Sequence, residues 1–225
     1  MENKISKIIL FDVNETLLDM APLKQRINKL LGTDLGFKLW FGLLLQYSLV
    51  DNSIGRYHDF PTIADAALDM AGSSLGLTFE PDVKKDALSA TKSLKAYPDV
   101  EPGLKILKDR GFKTATLTNS PESILLQQIR NSNLEQNFDQ HLSVDTIMKY
   151  KPALETYRWA ADQLKVRPSD IIMVAAHGWD VAGAAQAGLK TAFVAREGQS
   201  LYPLAAQPDY IGENILQIAN KIVNG

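Results

Sequence analysis

The chain has 225 residues, of which 45% are hydrophobic and 22% charged, with a formal net charge of -2 at pH 7. This length suits a single globular domain or a core with one insertion. Lysines and arginines are scattered rather than clustered, so nucleic acid is not an expected partner. The absence of cysteine excludes disulfides, thiol catalysis and thiolate metal sites, and three histidines far apart in sequence do not suggest a metal cage. We therefore expect no metal and no cofactor.

The chain shows no sign of a membrane segment. Its most apolar window, residues 39–50, is too short to cross a bilayer, and its first twelve residues contain neither a long apolar stretch nor a cleavage site. We expect a cytoplasmic protein without a membrane partner.

The first predicted element is a buried strand over residues 7–12, a short apolar run that ends in Asp12. From about residue 19 to residue 97 the pattern is helical, with no convincing strand, which indicates a helical insertion. Strands and helices then alternate, so the fold class is α/β with a doubly wound parallel sheet. The later strands are predicted at 114–119, 141–144, 171–175 and 191–194, and the helices between them at 102–111, 122–132, 153–166 and 180–188.

Polar residues follow four of the predicted strands. An open α/β sheet binds ligands at the carboxyl ends of its strands, so these residues are expected to meet at one edge. The insertion leaves directly after the first strand and would cover that edge. The residues form four motifs: Phe11 to Asp19 (FDVNETLLD), Leu117 to Ser120 (LTNS), Ser143 to Asp145 followed by Tyr150-Lys151-Pro152 and Tyr157, and Trp179-Asp180.

These four motifs, in this order, resemble the haloacid dehalogenase superfamily and, within it, the type II 2-haloacid dehalogenases. The resemblance covers nearly the whole chain. It implies a Rossmann-like core domain of residues 1–18 and 97–225, a helical cap domain of residues 19–96, and a homodimer. It also implies hydrolytic dehalogenation of short (S)-2-haloalkanoic acids to 2-hydroxy acids, with a small-molecule 2-haloacid as substrate.

The resemblance assigns Asp12 as the nucleophile that forms a covalent ester with the substrate. Lys151 would keep that carboxylate ionised and in place, and Asp180 and Tyr157 would hold the lysine and the nucleophile. Taken singly, each of these residues could instead cap a helix, pack in the core or lie in solvent.

Asn14 favours dehalogenation over phosphate transfer. Phosphatases of the superfamily carry a second Asp two residues after the nucleophile, which protonates the leaving oxygen. Asn cannot do this, and a halide leaving group needs no proton. Residues 175–178 contain no acid, so the ligand set for Mg²⁺ is thin and metal independence is expected.

Two positions depart from the family pattern together. Glu15 stands where a Gly is usual, and His177 stands where an Asn is usual. We predict that His177 deprotonates the water that cleaves the ester, while Glu15 orients and stabilises the imidazole. The alternative is an ordinary loop histidine and an ordinary turn acid.

The predicted substrate site combines an anion site with an aromatic wall. Thr118 and Asn119 precede a helix, whose free N–H groups add to an anion site for carboxylate and halide. Phe41 stands where the family usually has a halide-binding Arg, so ring edges would contact the halide instead. For Phe41 and Phe60, packing within the cap is an equal alternative. The full predicted substrate- and halide-binding set is Val13, Asn14, Phe41, Phe60, Thr118, Asn119, Tyr157 and Trp179.

The sequence leaves two competing functions open. One is a phosphatase-type hydrolase of the same superfamily, which Asn14 disfavours. The other is a metabolite-binding module with a degenerate site, which the missing cap Arg would explain.

Overall fold

The computed structural model describes residues 8–225, so residue 7 of the first predicted strand lies outside the described residues. The strands are β1 (Ile8–Phe11), β2 (Leu18–Asp19), β3 (Lys95–Ala96), β4 (Lys113–Thr118), β5 (Gln140–Ser143), β6 (Ile171–Ala175), β7 (Lys190–Val194) and β8 (Tyr210–Gly212). The helices are α1 (Ala21–Leu31), α2 (Gly36–Ile54), α3 (Phe60–Ser74), α4 (Pro81–Ser89), α5 (Val100–Asp109), α6 (Glu122–Asn131), α7 (Leu154–Gln163), α8 (Gly178–Gln186) and α9 (Ile215–Asn224).

Six strands form one parallel sheet in the order β5-β4-β1-β6-β7-β8. Strand β1 is central and buried along its whole length, as expected for an apolar strand covered by helices on both faces. The chain builds outward from β1 in one direction through β4 and β5, then crosses to β6 on the other side. The carboxyl end of β1 therefore lies at the point where the strand order reverses, which is where open α/β sheets bind ligands. The predicted α/β fold class is confirmed.

Two parts of the architecture differ from the sequence-based prediction. The region from residue 19 to residue 97 contains strand residues after all, because β2 and β3 pair as an antiparallel ribbon where the chain leaves and re-enters the core. Each strand has only two residues, too short to show a period-two pattern. Strand β8 and helix α9 were also not predicted, and β8 is a three-residue edge strand.

Between β2 and β3 the chain forms four helices, α1 to α4, which we call the helical insertion (residues 21–92, including the turn after α4). Gly32 and Gly55 end the first two helices in the left-handed conformation, with φ of 66° and 69°. Asp59 caps α3 by accepting a hydrogen bond from the Thr62 N–H at 2.8 Å. Trp40 is buried and donates its indole N–H to the Ala64 carbonyl at 2.8 Å, which joins α2 to α3.

The insertion is also fixed to the core next to Lys151. The Asn52 side chain, near the end of α2, bonds both backbone groups of Tyr150, accepting from its N–H at 3.0 Å and donating to its carbonyl at 2.9 Å. Tyr57 donates to Asp145 at 2.6 Å and stacks on the Tyr150 ring. These contacts fix the loop that carries Lys151. The division into two domains at residues 18/19 and 96/97 stays a prediction.

Candidate active site

Asp12 follows β1 directly and is only 5% exposed. Its backbone N–H continues the sheet pairing by donating to the Val174 carbonyl at 3.0 Å. The two carboxylate oxygens have different partners: Oδ1 accepts from Lys151 Nζ at 2.8 Å, and Oδ2 accepts from the Thr16 hydroxyl at 2.7 Å. The Thr16 hydroxyl in turn accepts the Ala176 N–H at 2.9 Å, so the carboxylate is held from both sides.

Lys151 connects Asp12 to a second buried acid. Its Nζ lies 2.6 Å from Asp180 Oδ2 and also donates to the Leu117 carbonyl at 3.0 Å, so all three ammonium protons have a partner. Tyr157 is fully buried and donates to Asp180 Oδ1 at 2.6 Å. The predicted grouping of these four side chains is therefore present in the structure.

The charges of this group set the protonation states. Burial alone would raise the pKa of Asp12, but Lys151 and His177 outweigh it and hold that pKa well below its ordinary value. Burial would lower the pKa of Lys151, yet the two aspartates raise it above its ordinary value. Burial raises the pKa of Asp180, an effect that Lys151 only partly offsets. The site therefore holds a permanently ionised Asp12 beside a permanently charged lysine.

His177 lies between Asp12 and Glu15. Its Nδ1 is 3.1 Å from Asp12 Oδ2 and its Nε2 is 2.8 Å from Glu15 Oε2. Burial opposes the charged imidazolium, but hydrogen bonds to the two carboxylates prevail and raise the pKa of His177 to about 9. At neutral pH the resting imidazole is therefore protonated at both nitrogens.

Glu15 occupies a backbone position that few side chains adopt. Its φ is 60°, in the left-handed region that favours glycine, and a non-glycine residue there costs roughly 1–2 kcal/mol. Gln199 donates to the Glu15 carboxylate at 3.2 Å and helps hold it toward His177. Strain of this kind persists only where the surroundings maintain it, and it concentrates at functional sites.

A polar network borders the pocket on the side of α6. Asn14 donates to the Ser120 hydroxyl at 3.3 Å and accepts from Gln128 Nε2 at 3.1 Å. Asn119 accepts the Lys151 N–H at 3.0 Å, while Thr118 accepts the Ser120 N–H at 3.2 Å as a turn-forming residue. The N-cap residue of α6 is Pro121 and no side chain in the described part of the chain caps this helix, so the capping interpretation of Thr118 and Asn119 is wrong. Their role as an anion site stays a prediction.

Aromatic rings cover the other side of the pocket. Trp179 stacks on the His177 ring at 5.0 Å between centroids, and Lys151 Nζ lies 5.7 Å from the Trp179 ring centre. The Phe41 ring centroid is 6.0 Å from that of His177. Phe60 contacts the Tyr150 ring, with centroids 5.8 Å apart. Phe41 and Phe60 are partly buried and also pack against the hydrophobic core, so both residues have a packing role and line the pocket.

These residues enclose a small pocket of about 20 Å³, which we call the Asp12 pocket. Two predicted substrate-binding residues do not line it: Val13 is fully buried with its carbonyl bonded to the Leu17 and Leu18 N–H groups, and Tyr157 bonds Asp180 instead. The lining residues are Asp12, Asn14, Phe41, Leu45, Phe60, Thr118, Asn119, Lys151, His177 and Trp179.

Some contributing residues were not assigned from the sequence. Thr16 was part of the first motif, but its contact with the Asp12 carboxylate was not predicted. Gln128 lies 114 residues from Asn14, and Gln199 lies 184 residues from Glu15, the site residues that they bond. Leu45 is one of several leucines on α2, so no local signal marks these three residues. Within residues 8–225, no helix is long and apolar enough to cross a membrane, and no cluster of three or more acidic, histidine or cysteine side chains is arranged to hold a metal.

The sequence is similar to those of known hydrolases. A model of the haloacid dehalogenase-like hydrolase family matches residues 6–188. The (S)-2-haloacid dehalogenase 1 of Pseudomonas sp. (strain CBS-3) is 38% identical over 194 residues, covering 83% of each chain. The (S)-2-haloacid dehalogenase 4A of Burkholderia cepacia is 33% identical, covering 84% of this chain and 82% of that protein.

Solved structures agree with these relatives. The L-2-haloacid dehalogenase of Xanthobacter autotrophicus superimposes with a TM-score of 0.86 at 27% identity, covering 97% of this chain and 98% of that one. The same enzyme with chloropropionic acid covalently bound gives a TM-score of 0.85 at 25% identity and the same coverage. The protein is therefore a hydrolase that belongs, within the haloacid dehalogenase superfamily, to the L-2-haloacid dehalogenase family.

Proposed function

We propose that this enzyme hydrolyses 2-haloalkanoic acids to 2-hydroxy acids through an ester on Asp12. The observation that carries the proposal is the buried, ionised Asp12 carboxylate at the carboxyl end of β1, fixed by Lys151, Thr16 and His177. The names of the relatives support the reaction. The covalently bound chloropropionic acid in the Xanthobacter autotrophicus enzyme supports a covalent intermediate.

In the first step an Asp12 oxygen attacks carbon 2 of the substrate, and the carbon–halogen bond breaks on the opposite side. Within residues 8–225, Oδ1 is bonded by Lys151 alone, whereas Oδ2 is bonded by Thr16 and His177, so Oδ1 is the freer of the two oxygens. The step releases a halide anion, inverts the carbon and consumes no proton. Asn14 agrees with this chemistry, because its amide bonds Ser120 and Gln128 and cannot act as a general acid.

The substrate carboxylate would lie against Thr118 and Asn119, beside the start of α6. Backbone N–H groups at a helix start favour an anion. The halide would leave toward the rings of Phe41, Phe60 and Trp179, whose edges carry partial positive charge. The position of all these residues in the wall of one pocket supports this arrangement.

We infer that His177 changes from an acid to a base when the ester forms. In the resting site its two nitrogens face two carboxylates, Asp12 and Glu15, which keeps it protonated. Ester formation removes the charge of Asp12, so the pKa of His177 falls and its Nδ1 proton can leave to solvent. Nδ1 then faces the ester while Glu15 still holds Nε2–H, as in a triad. Water gives one proton to Nδ1, which restores the imidazolium, and its oxygen adds to the ester carbonyl carbon. The bond from that carbon to the ester oxygen then breaks, and the departing alkoxide takes the second proton of the water, so that the 2-hydroxy acid and an ionised Asp12 are released.

An isotope experiment tests the covalent step. In single turnover in water enriched in ¹⁸O, label should enter the Asp12 carboxylate rather than the 2-hydroxy acid, as read by mass spectrometry of protein and product. Label in the product alone would mean that water attacks carbon 2 directly. Asp12→Asn should release no halide from bromoacetate.

A rapid-quench experiment tests the role of His177 separately. His177→Ala and Glu15→Ala should release one equivalent of halide and then stall, with an ester on the peptide that contains Asp12. If both variants keep the wild-type rate of steady-state turnover, the proposed role of His177 and Glu15 in ester hydrolysis is refuted. A measurement of halide release from bromoacetate and of phosphate release from an aryl phosphate with Mg²⁺ addresses the two competing functions. A phosphatase would release phosphate, and a binding module would release neither ion.

We also propose that the helical insertion acts as the cap over the site, that residues 19–96 form the cap domain, and that the enzyme works as a cytoplasmic homodimer. The cap is supported by Phe41, Leu45 and Phe60, which reach the Asp12 pocket from the insertion. The dimer and the location rest on the family resemblance and the sequence alone. Light scattering during size-exclusion chromatography distinguishes a dimer from the 24.9 kDa monomer.

A further inference from the structure

A second, much larger cavity adjoins the Asp12 pocket. Its volume is about 460 Å³, and it lies between the helical insertion and helix α6 of the core. Asn14, Phe41 and Phe60 line both spaces, so the two are adjacent at these three residues. The rest of the cavity wall is mainly apolar and includes Met20, Trp40, Leu44, Ala64, Leu88 and Ile124.

The two spaces differ greatly in capacity. The Asp12 pocket, at about 20 Å³, has free room for little more than one water molecule. The large cavity falls within the roughly 300–1,000 Å³ typical of small-molecule sites. Of these two spaces, the large cavity is the one with room for a substituent of several carbon atoms on a substrate whose carbon 2 lies at Asp12.

We propose that the large cavity is the subsite for the substituent on carbon 2, and that the preferred substrates are 2-haloacids with a long alkyl or arylalkyl substituent rather than haloacetate. This inference rests on the proposed function and adds the substrate class. Apolar walls select an apolar substituent because burying it removes hydrocarbon surface from water.

Polar side chains also line the cavity. Lys85 and Lys92 line the cavity as exposed residues, and their positive charge would attract a carboxylate substrate from solution. Gln128 is buried, and its Oε1 is an acceptor without a protein partner within residues 8–225. Such an atom requires a donor, which water or a ligand would supply.

The test is a chain-length series on the wild-type enzyme. Halide release would be measured for bromoacetate and for the (S) forms of 2-bromopropanoate, 2-bromohexanoate, 2-bromooctanoate and 2-bromo-3-phenylpropanoate. Each fully buried methylene is worth about a fourfold change in affinity, so the three additional methylenes of bromohexanoate are worth about 60-fold when fully buried. Partial burial should still raise kcat/KM at least about tenfold from bromopropanoate to bromohexanoate. A flat or falling series with active short substrates would overturn the subsite and leave the proposed function intact.

A variant with a matched control locates the effect. Ile124→Trp adds bulk from α6 into the cavity, whereas Leu126→Trp adds the same kind of bulk on the exposed face of that helix. The ratio of kcat/KM for bromooctanoate over bromopropanoate should fall at least about tenfold in Ile124→Trp and stay at the wild-type value in Leu126→Trp. Equal ratios in both variants would refute the location.

A binding measurement keeps the subsite testable apart from the reaction. (S)-2-Hydroxyoctanoate and (S)-lactate would be titrated into the enzyme by calorimetry. (S)-2-Hydroxyoctanoate should bind at least about tenfold more tightly than (S)-lactate, and Ile124→Trp should abolish this difference in affinity. Equal affinities for the two hydroxy acids would refute the subsite, even if every haloacid is inert. If the haloacids are inert but (S)-2-hydroxyoctanoate binds more tightly, the proposed function and the substrate class are refuted and the cavity remains a binding site.

Discussion

Replacing Glu15 with Gln should lower the pKa of His177, because it removes one of the two negative charges that face the imidazole. The replacement keeps the shape of the side chain and the hydrogen-bonding capacity toward Nε2. In the wild type the pKa of His177 is about 9, against 6.5 for an ordinary histidine. The perturbation therefore isolates the charge of Glu15.

The expected size follows from the distance. A pair of unit charges 2.8 Å apart, the Glu15–His177 separation, is worth about 1.5 kcal/mol at the dielectric constant of water and about 6 kcal/mol at an effective dielectric constant of 20. Since 1.36 kcal/mol corresponds to one pKa unit, the pKa of His177 should fall to between about 5 and 8. Asp12 still faces the imidazole in Glu15→Gln and favours its charged form, so we expect the pKa of His177 in the upper part of this range.

The assay is nitrogen NMR of the imidazole signals across a pH titration. The chain has three histidines, and loss of one signal in His177→Gln assigns the relevant resonance. Glu197→Gln is the matched control, because it removes the same charge from an exposed position in the loop that also carries Gln199. An unchanged pKa of His177 in Glu15→Gln would refute the electrostatic account of the site.

The same pKa also predicts a pH dependence of stability. Because the folded-state pKa of His177 is raised, its contribution is fully present below pH 6.5 and is lost as pH rises toward 9. The full contribution corresponds to about 3 kcal/mol. The free energy of unfolding from urea titrations should therefore fall between pH 6.5 and pH 9, and by less in Glu15→Gln. Parallel profiles for the two proteins would contradict the linkage.

Three further changes probe the same cluster. Lys151→Met removes the ammonium group that two buried carboxylates share, and it should lower the free energy of unfolding at pH 7 by about 3–5 kcal/mol. A smaller loss in urea titrations would mean that water reaches Asp12. Tyr157→Phe removes a hydrogen bond to the charged Asp180 and should lower that free energy by about 1.5–3 kcal/mol, and a thermal melt indistinguishable from wild type would count against this contact. Glu15→Gly removes the strain of the left-handed backbone but also removes the ion pair with His177. It should lower the free energy of unfolding at pH 7 and raise it by about 1 kcal/mol at pH 10. A change of the same sign at both pH values would argue against one of the two effects.

Much of the fold could be predicted because strong local patterns coincide with the long elements. Strand β6 matches residues 171–175, and helix α6 lies within residues 122–132, because each is a clear apolar or periodic run. Strands β2, β3 and β8 have two or three residues, so their formation depends on partners far along the chain. No local pattern can specify such pairing.

The site could be predicted where a motif lies at a strand end, since parallel strands bring their carboxyl ends to one edge. Asp12, Lys151, Asp180, Glu15 and His177 are brought together as expected. The protonation of His177 could not be predicted, because it depends on two carboxylates approaching within about 3 Å at the same time. The extent of the cavity beside α6 was likewise inaccessible, because it is a space between elements rather than a property of any one of them.

The aromatic side chain of Phe41 in the pocket wall affects how long the released halide stays bound. Lys151 and His177 are the cations of the Asp12 pocket, and both are already compensated by buried carboxylates. Free chloride or bromide thus meets ring edges and compensated charges, and would be retained only briefly. Inhibition by the halide product should therefore be weak, and the enzyme should stay active at high chloride or bromide concentration.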